Sequence, residues 1–277
     1  MSIRIGTNIE SLSAQRFVSS NSQAQSDSLE KLASGHRINR SADDAAGLAI
    51  SDKMHSQVRS IRQNIRNAQD GVSILQTAEG GMQEISNILV RFRELSIQAS
   101  SDTVSDNERG FIDKEFQQMG SEVDRITQAT EFNGKFRLLD GKGGTIEFHI
   151  GINNTEHDKF AIDQSQTDAT RSSLGISDLN VRSRDNAQTN LDRLDGAIKT
   201  ISERRSNLGA MQNRLQSMIS SATNYHENLT GARSRILDTD LASQTADLTR
   251  SNIMQQASMS VLSQANTNPQ AALRLLT

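Results

Sequence analysis

The chain has 277 residues, enough for one or two ordinary domains, but only 34% of them are hydrophobic and 3% aromatic. This composition argues against a large compact core, and with Pro269 as the single proline it favours long uninterrupted helices. The net charge of −3 argues against general nucleic-acid binding, and the absence of cysteine excludes disulfides and thiolate metal sites.

The chain begins with a Ser- and Gln-rich segment, residues 2–33, whose pattern is moderately helical. Residues 17–26 within it carry no charge. The first twenty residues contain no apolar stretch of the kind that signal peptides need, so we expect no cleavable signal peptide. The apolar positions of this arm are Ile5, Ile9, Leu12, Leu29 and Leu32.

A turn region follows Gly35, and it is rich in charged and amide side chains: Arg37, Asn39, Arg40, Asp43 and Asp44. Acid/base catalysis needs two carboxylates in differently tuned, enclosed environments, which a surface turn does not provide. We therefore interpret the paired aspartates as a helix start, where negative charge complements the helix dipole. We also expect them to form an ion-pair network with the two arginines.

The next two segments carry helical apolar stripes. Over residues 44–100 the stripe has a mean spacing near 3.5 residues, which indicates a coiled-coil seam: Met54, Val58, Ile61, Ile65, Ala68, Val72, Leu75, Ala78, Met82, Ile85, Leu89 and Phe92. Ser105 and Glu108 then form a capping-box pattern that predicts a second helix over 105–129. Its apolar face is Ile112, Phe116, Met119, Val123 and Ile126.

Residues 134–180 have a different pattern, which predicts a small β-hairpin patch. Short strands are predicted at 135–139, 145–150 and 159–162, with turns at Gly141–Gly144 and Asn153-Asn154. The glycine-rich turn lacks the spacing and the following helix of a phosphate-binding loop. We interpret it as a hairpin tip.

A helical seam returns over 184–236 and continues into a terminal arm, 237–277. The seam consists of Leu191, Leu194, Ile198, Ile201, Leu208, Met211, Leu215, Met218, Ala222, Tyr225, Leu229, Ala232 and Ile236. Arg204 and Arg205 interrupt it, and we expect their stems to extend outward. Residues 251–273 are uncharged but too polar for a membrane span. The apolar face of the terminal arm is Met254, Ala257, Val261 and Ala265, followed by Leu273 and Leu276.

Together these patterns predict a mainly α fold: an elongated antiparallel helical bundle or coiled-coil rod with a small β-hairpin patch in mid-chain. We expect the terminal helices to pair, so that residues 1–40 and 237–277 form one domain and residues 41–236 another. The five histidines are scattered without metal-ligand spacing, so we predict no metal, no cofactor and no catalytic residue.

Several segments resemble bacterial flagellins. They are LEKLASGHRINRSADDAAGLAISDKM at 29–54, NAQDGVSILQTAEGGMQEISNIL at 67–89, RFRELSIQAS at 91–100, EFNGK at 131–135, NLGAMQNRLQ from 207, SRILDTDLA from 234, and the terminal SVLSQANTNPQAALRLLT. The resemblance covers nearly the whole chain except about 140–180. It is specific, because several long motifs occur in the right order.

The resemblance implies a filament subunit whose two arms fold together when subunits stack. The expected polymerisation interface is Ile5, Ile9, Leu12, Leu29, Leu32, Met254, Ala257, Val261, Ala265, Leu273 and Leu276. It also implies export through the flagellar type III apparatus to an extracellular filament. The partners implied are a filament cap, hook-junction proteins, sister flagellins and an export chaperone. The surface for that chaperone would be Met254, Ala257, Val261, Leu262, Leu273 and Leu276.

Many flagellins are also recognised by a Toll-like innate immune receptor of animals. The family epitope combines an Arg and a Leu of an R-x-R-E-L motif with a Glu on the next helix. Arg91, Leu95 and Glu115 match those positions. The same residues would belong to the interface between outer parts of neighbouring subunits.

Three alternatives stay open at this point. A hook–filament junction protein shares the terminal-arm design, but such proteins tend to carry a proline after the paired aspartates, where this chain has Ala45-Ala46. A coiled-coil scaffold or signalling protein of the chemoreceptor type would usually have a membrane segment. An enzyme within the β-patch would have only about forty residues to enclose a substrate.

Overall fold

The computed structural model describes the backbone of residues 7–274 and the side chains of residues 7–267. Most of this part is helical, so the predicted mainly α fold is confirmed. The helices, in chain order, are α1 (Ile9–Ser34), α2 (Ala45–Ala99), α3 (Asp106–Ala129), α4 (Arg184–Leu237) and α5 (Leu241–Arg274).

The chain divides into two compact units. We call residues 1–58 with 227–277 the terminal unit, and residues 59–226 the central unit. The division falls inside α2 and α4. The predicted domain boundaries near 40 and 237 stay a prediction.

In the terminal unit, α1 and α5 pack against each other in antiparallel orientation, so the predicted pairing of the terminal helices is confirmed. The side chain of Asn8 caps the start of α1 by accepting a hydrogen bond from the backbone N–H of Ser11 at 3.0 Å. Gly35 ends the helix at φ 71°, a left-handed conformation that glycine adopts without steric cost.

The segment after α1 is tied to the link between α4 and α5. His36 and Asp238 form an antiparallel β-bridge. On one side of it the backbone N–H of Arg37 donates to the carbonyl of Leu237 at 2.7 Å, and on the other that of Thr239 donates to the carbonyl of Gly35 at 3.0 Å. These backbone bonds satisfy polar groups where both helices end.

In the central unit, α2, α3 and α4 bury their apolar stripes in one core. Helix α3 runs antiparallel to α2, because Arg109 contacts Ala99 while the later Glu115 contacts the earlier Arg91. Helix α4 does the same, because Asp195 contacts Arg93 while Gln212 contacts Glu79. The predicted capping box at the start of α3 is confirmed. Fully buried positions of the two long stripes include Met82, Ile85, Leu89, Leu194, Ile201, Leu208 and Leu215.

The β-structure is confirmed as small, and the predicted strands at 145–150 and 159–162 pair with each other as expected. The hairpin predicted across Gly141–Gly144 is wrong. There are two separate two-stranded antiparallel sheets, β1 (Glu131–Phe132) with β2 (Phe136–Arg137) and β3 (Thr145–His149) with β4 (Lys159–Asp163). Asn133 and Gly134, at φ 55° and 62°, form the first hairpin turn because both tolerate the left-handed region. Gly141–Gly144 therefore connects the two sheets and is not a hairpin tip.

Residues 169–181 form an irregular segment that contributes to the core, although the sequence pattern assigned it to the β-patch. Its apolar side chains are buried together with those of α2 and α4. Backbone N–H and C=O groups in such a segment have no neighbouring strand or helical turn to bond to, so they need other partners. Side chains of α3 supply some of them, as described below. The buried side chains are Ala169, Leu174, Ile176, Leu179 and Val181.

Two predictions for the seam of α4 are also wrong. Arg204 and Arg205 do not extend fully into solvent: each is partly buried, and Arg204 donates to the hydroxyl of Ser173 at 2.8 Å. Burial lowers the pKa of the Arg204 guanidinium. The irregular segment covers this part of α4, which the helical period alone could not anticipate. Tyr225, assigned to the seam, is exposed.

Candidate assembly surface

Nine large apolar side chains of α1 and α5 are exposed in the single subunit. They are exposed by 47% to 63%, whereas core side chains of the central unit are nearly inaccessible. We call this set the outward row. It consists of Ile9, Leu12, Phe17 and Leu29 on α1 and Leu241, Ile253, Met254, Met259 and Val261 on α5.

The contact between α1 and α5 is made largely by small and polar side chains. Asn21 donates to the Ser258 hydroxyl at 2.8 Å, and Gln25 donates to the Asn252 amide oxygen at 2.6 Å. Asn8 donates to the carbonyl of Ala265 at 2.8 Å. Hydrogen bonds of this kind define a register but contribute only about 1 kcal/mol each.

Most described positions of the predicted polymerisation interface lie on the outward row: Ile9, Leu12, Leu29, Met254 and Val261. Ala257 is exposed beside them, whereas Leu32 is partly buried and Ala265 is buried in the subunit. Leu262, which was predicted only for the chaperone surface, is partly buried. Ile5, Leu276 and the side chain of Leu273 lie outside the described residues. Whether any of these positions contacts another subunit stays a prediction.

Sequence reasoning missed four members of the outward row: Phe17, Leu241, Ile253 and Met259. None falls on the stripes followed in the sequence. The uncharged composition of residues 17–26 and 251–267 could have identified Phe17, Ile253 and Met259, because an uncharged exposed segment is unusual for a solvated helix. Leu241 lies outside both segments.

On the central unit, the structure brings together two of the three residues of the candidate receptor epitope. Arg91 donates to the carboxylate of Glu115 at 2.7 Å and to that of Glu94 at 2.9 Å. These carboxylates hold the pKa of the guanidinium above its ordinary value. Leu95 has only 1% of its side chain accessible and lies in the core. Of the three candidate residues, Arg91 and Glu115 are therefore the accessible ones.

The paired aspartates organise the turn between α1 and α2 through backbone donors. The carboxylate of Asp43 accepts from the N–H groups of Asn39 and Arg40 at 2.9 and 3.0 Å, which holds its pKa below the ordinary value. Asp44 accepts from the N–H of Gly47 at 2.8 Å, as a helix N-cap does. The predicted helix start is confirmed.

The ion-pair network predicted for this turn is wrong. Among the described residues, neither Arg37 nor Arg40 forms an ion pair with Asp43 or Asp44. Arg40 pairs with Glu30 of α1 at 2.5 Å, and Arg37 donates to the carbonyl of Ile236 at 2.8 Å. The physical reason is local: backbone donors within the turn already occupy the aspartate oxygens, which frees the arginines to reach other elements.

Two buried charged residues, which the sequence did not single out, position α3 and the irregular segment. Arg109 donates to the carbonyls of Ala99 and Ser101 at 2.8 and 3.0 Å, so it caps the end of α2. Asp113 accepts from the backbone N–H of Val181 at 3.1 Å and from Arg182 at 2.8 Å. Both residues lie on α3 but are charged, so the periodicity of apolar residues could not identify them as buried.

Burial by itself raises the pKa of the Asp113 carboxyl. Hydrogen bonds from Arg182, Val181 and Gln117 outweigh that effect, and the net result is a pKa below the ordinary value. Asp113 is thus held ionised, as the anchor for the irregular segment.

Within residues 7–274, no helix is long and apolar enough to cross a membrane. The same part of the chain contains no group of three or more His, Cys, Asp or Glu side chains that could hold a metal ion.

Two family descriptions match the chain, one at each end. The bacterial flagellin N-terminal helical region matches residues 5–143, and the bacterial flagellin C-terminal helical region matches residues 191–276. The two matches contain all of α1, α2, α3 and α5 and nearly all of α4. The chain belongs to the bacterial flagellin family.

Individual flagellins are similar to this chain in sequence and in structure. A flagellin of Halalkalibacterium halodurans is 43% identical over 98% of this chain and 99% of its own length. The flagellar filament 30.7 kDa core protein of Treponema maltophilum is 39% identical over 98% of this chain and 99% of its own. The crystal structure of Bacillus cereus flagellin superposes with a TM-score of 0.51 at 32% identity, covering 57% of this chain and 88% of that one. Membership in the flagellin family favours a filament subunit over the junction and scaffold alternatives.

Proposed function

We propose that the chain is the structural subunit of a helical flagellar filament and that it polymerises through the terminal unit. The observation that carries this proposal is the outward row, which leaves nine large apolar side chains of α1 and α5 exposed to water in the single subunit. Covering such a surface with another copy of the chain releases free energy. Head-to-tail contacts that do not close into a ring extend into a helical filament.

The free energy gained by covering these side chains, compared with the cost of association, fits cooperative assembly. Each half-exposed side chain contributes about 1 kcal/mol when it is covered. Association of two proteins costs roughly 4–15 kcal/mol before any contact is counted. No single position can drive assembly, so the whole row has to be covered at once.

The test is seeded polymerisation of the purified full chain, followed by sedimentation and electron microscopy. The double variant Leu12→Ser/Ile253→Ser removes two members of the outward row and should raise the critical concentration at least tenfold. The control Gln256→Ser changes an exposed polar position of α5, so it should polymerise like the parent. Equal critical concentrations for all three proteins would refute the proposal.

We further propose that the Arg91–Glu115 pair is the accessible epitope for the Toll-like receptor on the free subunit. Arg91→Ala should weaken binding of the monomer to the receptor ectodomain about tenfold. Arg125 forms a comparable exposed pair with Glu122 on α3, at 2.7 Å, so Arg125→Ala is the matched control. A response to Arg125→Ala as large as that to Arg91→Ala would mean that general surface charge, not this pair, is recognised.

The resemblance and the family membership support a wider setting for the subunit. We propose that it is exported through the flagellar type III apparatus, that a chaperone covers the exposed face of α5 around Met254 and Val261 beforehand, and that the filament outside the cell serves swimming. Cap and hook-junction proteins would complete its ends. Deletion of residues 240–277 should abolish chaperone binding in a pull-down, and retained binding would place the chaperone site elsewhere.

A further inference from the structure

The seven methionines among the described residues differ sharply in accessibility. Met82 has 0% of its surface exposed in the core of the central unit. Met54, Met119, Met211 and Met218 are partly buried. By contrast, Met254 and Met259 are exposed by 51% and 57%.

The two exposed methionines are on the outward row, near Ile253 and Val261. The sequence carries no charged side chain between Ser251 and Thr267. Because both residues are exposed, their thioether sulfurs are accessible nucleophiles, and they lie in a surface without charged side chains. Oxidation of such a sulfur to the sulfoxide replaces a flexible apolar group with a strongly polar one, which disrupts methionine-rich interfaces.

We propose that Met254 and Met259 form an oxidation site of the unassembled subunit and that their sulfoxides block assembly; the second part rests on the proposed function. The oxidant is a peroxide. The thioether sulfur takes one oxygen atom from hydrogen peroxide, the O–O bond breaks, and one water molecule leaves. The sulfur is oxidised by two electrons and the peroxide is reduced by two.

Burial in an interface protects a thioether, whereas exposure leaves it reactive. Subunits already in a filament are thus shielded at these positions, while free subunits are not. Oxidised subunits are thus excluded from the filament, because a sulfoxide places a polar group where assembly requires an apolar one.

The oxidation site is tested on the full-length monomer with hydrogen peroxide and a time course of peptide mass spectrometry. Met254 and Met259 should be oxidised at least tenfold faster than Met82, with the partly buried methionines between them. Similar rates for Met82 and the two α5 positions, in protein whose circular dichroism is unchanged, would overturn the assignment. This readout decides the site whether or not the chain polymerises.

The assembly effect is tested as a ratio of critical concentrations with and without oxidation. For the parent this ratio should be about tenfold, and treatment with methionine sulfoxide reductases should reverse it. For Met254→Leu/Met259→Leu it should be near one, measured against that variant's own unoxidised value. The control Met119→Leu keeps both sites and should retain the parental ratio.

The outcomes separate the two proposals. If the unoxidised parent forms no filament, the proposed function fails, and the claim that sulfoxides block assembly fails with it. If the parent polymerises equally well before and after both sites are fully oxidised, the proposed function stands and the present inference is overturned.

Discussion

The terminal and central units use their apolar side chains in opposite ways. In the central unit, large side chains of α2, α3 and α4 meet in one core, and Phe92 stacks on Phe116 with ring centroids 4.2 Å apart. In the terminal unit, amides and hydroxyls form hydrogen bonds between α1 and α5, and nine large apolar side chains are exposed. The first arrangement stabilises a single subunit. The second leaves nine large apolar side chains exposed in the single subunit.

The largest effect should come from the core of the central unit. Phe92 is 2% exposed and Phe111 is 68% exposed, so they form a matched pair of phenylalanines. We expect Phe92→Ala to lower the free energy of unfolding by about 3–5 kcal/mol, because it leaves a cavity. Phe111→Ala should change it by less than about 0.5 kcal/mol. Urea unfolding monitored by circular dichroism measures both, and equal losses would contradict the assignment of the core.

A smaller effect should come from the anchor of the irregular segment. Asp113→Asn removes the charge that Arg182 and the N–H of Val181 contact, and we expect a loss of about 1–3 kcal/mol. Asp102, an exposed partner of Arg184 at 2.8 Å, is the control, and Asp102→Asn should cost less than about 1 kcal/mol.

The same anchor predicts a pH dependence. Because the pKa of Asp113 in the folded state is lower than its unfolded value near 3.8, its stabilisation is complete above that value. It is lost as the pH falls further, through the folded-state pKa. The difference in unfolding free energy between the parent and Asp113→Asn should therefore shrink below pH 3.8. A difference that stays constant under acid conditions would show that the carboxylate charge is not responsible.

The turn of the terminal unit allows a test with glycines. A Cβ on Gly47 would lie 2.4 Å from an Asp44 carboxylate oxygen and 2.8 Å from Cδ1 of buried Ile38. Gly47→Ala should thus displace the N-cap and destabilise the start of α2 by about 1–2 kcal/mol. Gly80, in the same helix, has nothing within 4 Å, so Gly80→Ala should stabilise by about 0.5–1 kcal/mol. Thermal unfolding of the two variants should shift in opposite directions.

The smallest effect should come from the polar contact between the terminal helices. Asn21→Ala removes the hydrogen bonds to Ser258 and to the carbonyl of Met254, worth about 1 kcal/mol. Amide hydrogen exchange in α1 should accelerate severalfold while exchange in α3 stays unchanged. Ser22→Ala, at an exposed neighbouring position, is the control. Unchanged exchange in Asn21→Ala would show that the amide does not hold the pair together.

Much of the helical architecture could be predicted from the sequence by itself. The stripe from Met54 to Phe92, the Ser105–Glu108 capping box and the scarcity of proline depend on local periodicity and local hydrogen bonds, which the chain carries in every context. The family membership was likewise evident, because its motifs are long and ordered. The sequence identified apolar positions on α1, but it could not show that Ile9, Leu12 and Leu29 are exposed in the subunit.

Tertiary structure decided the rest. The partners of Arg37, Arg40 and Asp113 lie on other elements, and the burial of Arg204 depends on a segment far away in the chain. The pairing of the four short strands could not be read from turn residues, because Gly141 and Gly144 adopt positive φ as Asn133 and Gly134 do, yet only the latter two lie in a hairpin turn. The exposure of Phe17 and Met259 follows from an α1–α5 contact built on amides. Periodicity specifies which side of a helix is apolar, but only packing determines whether that side is buried within the subunit or left for another one.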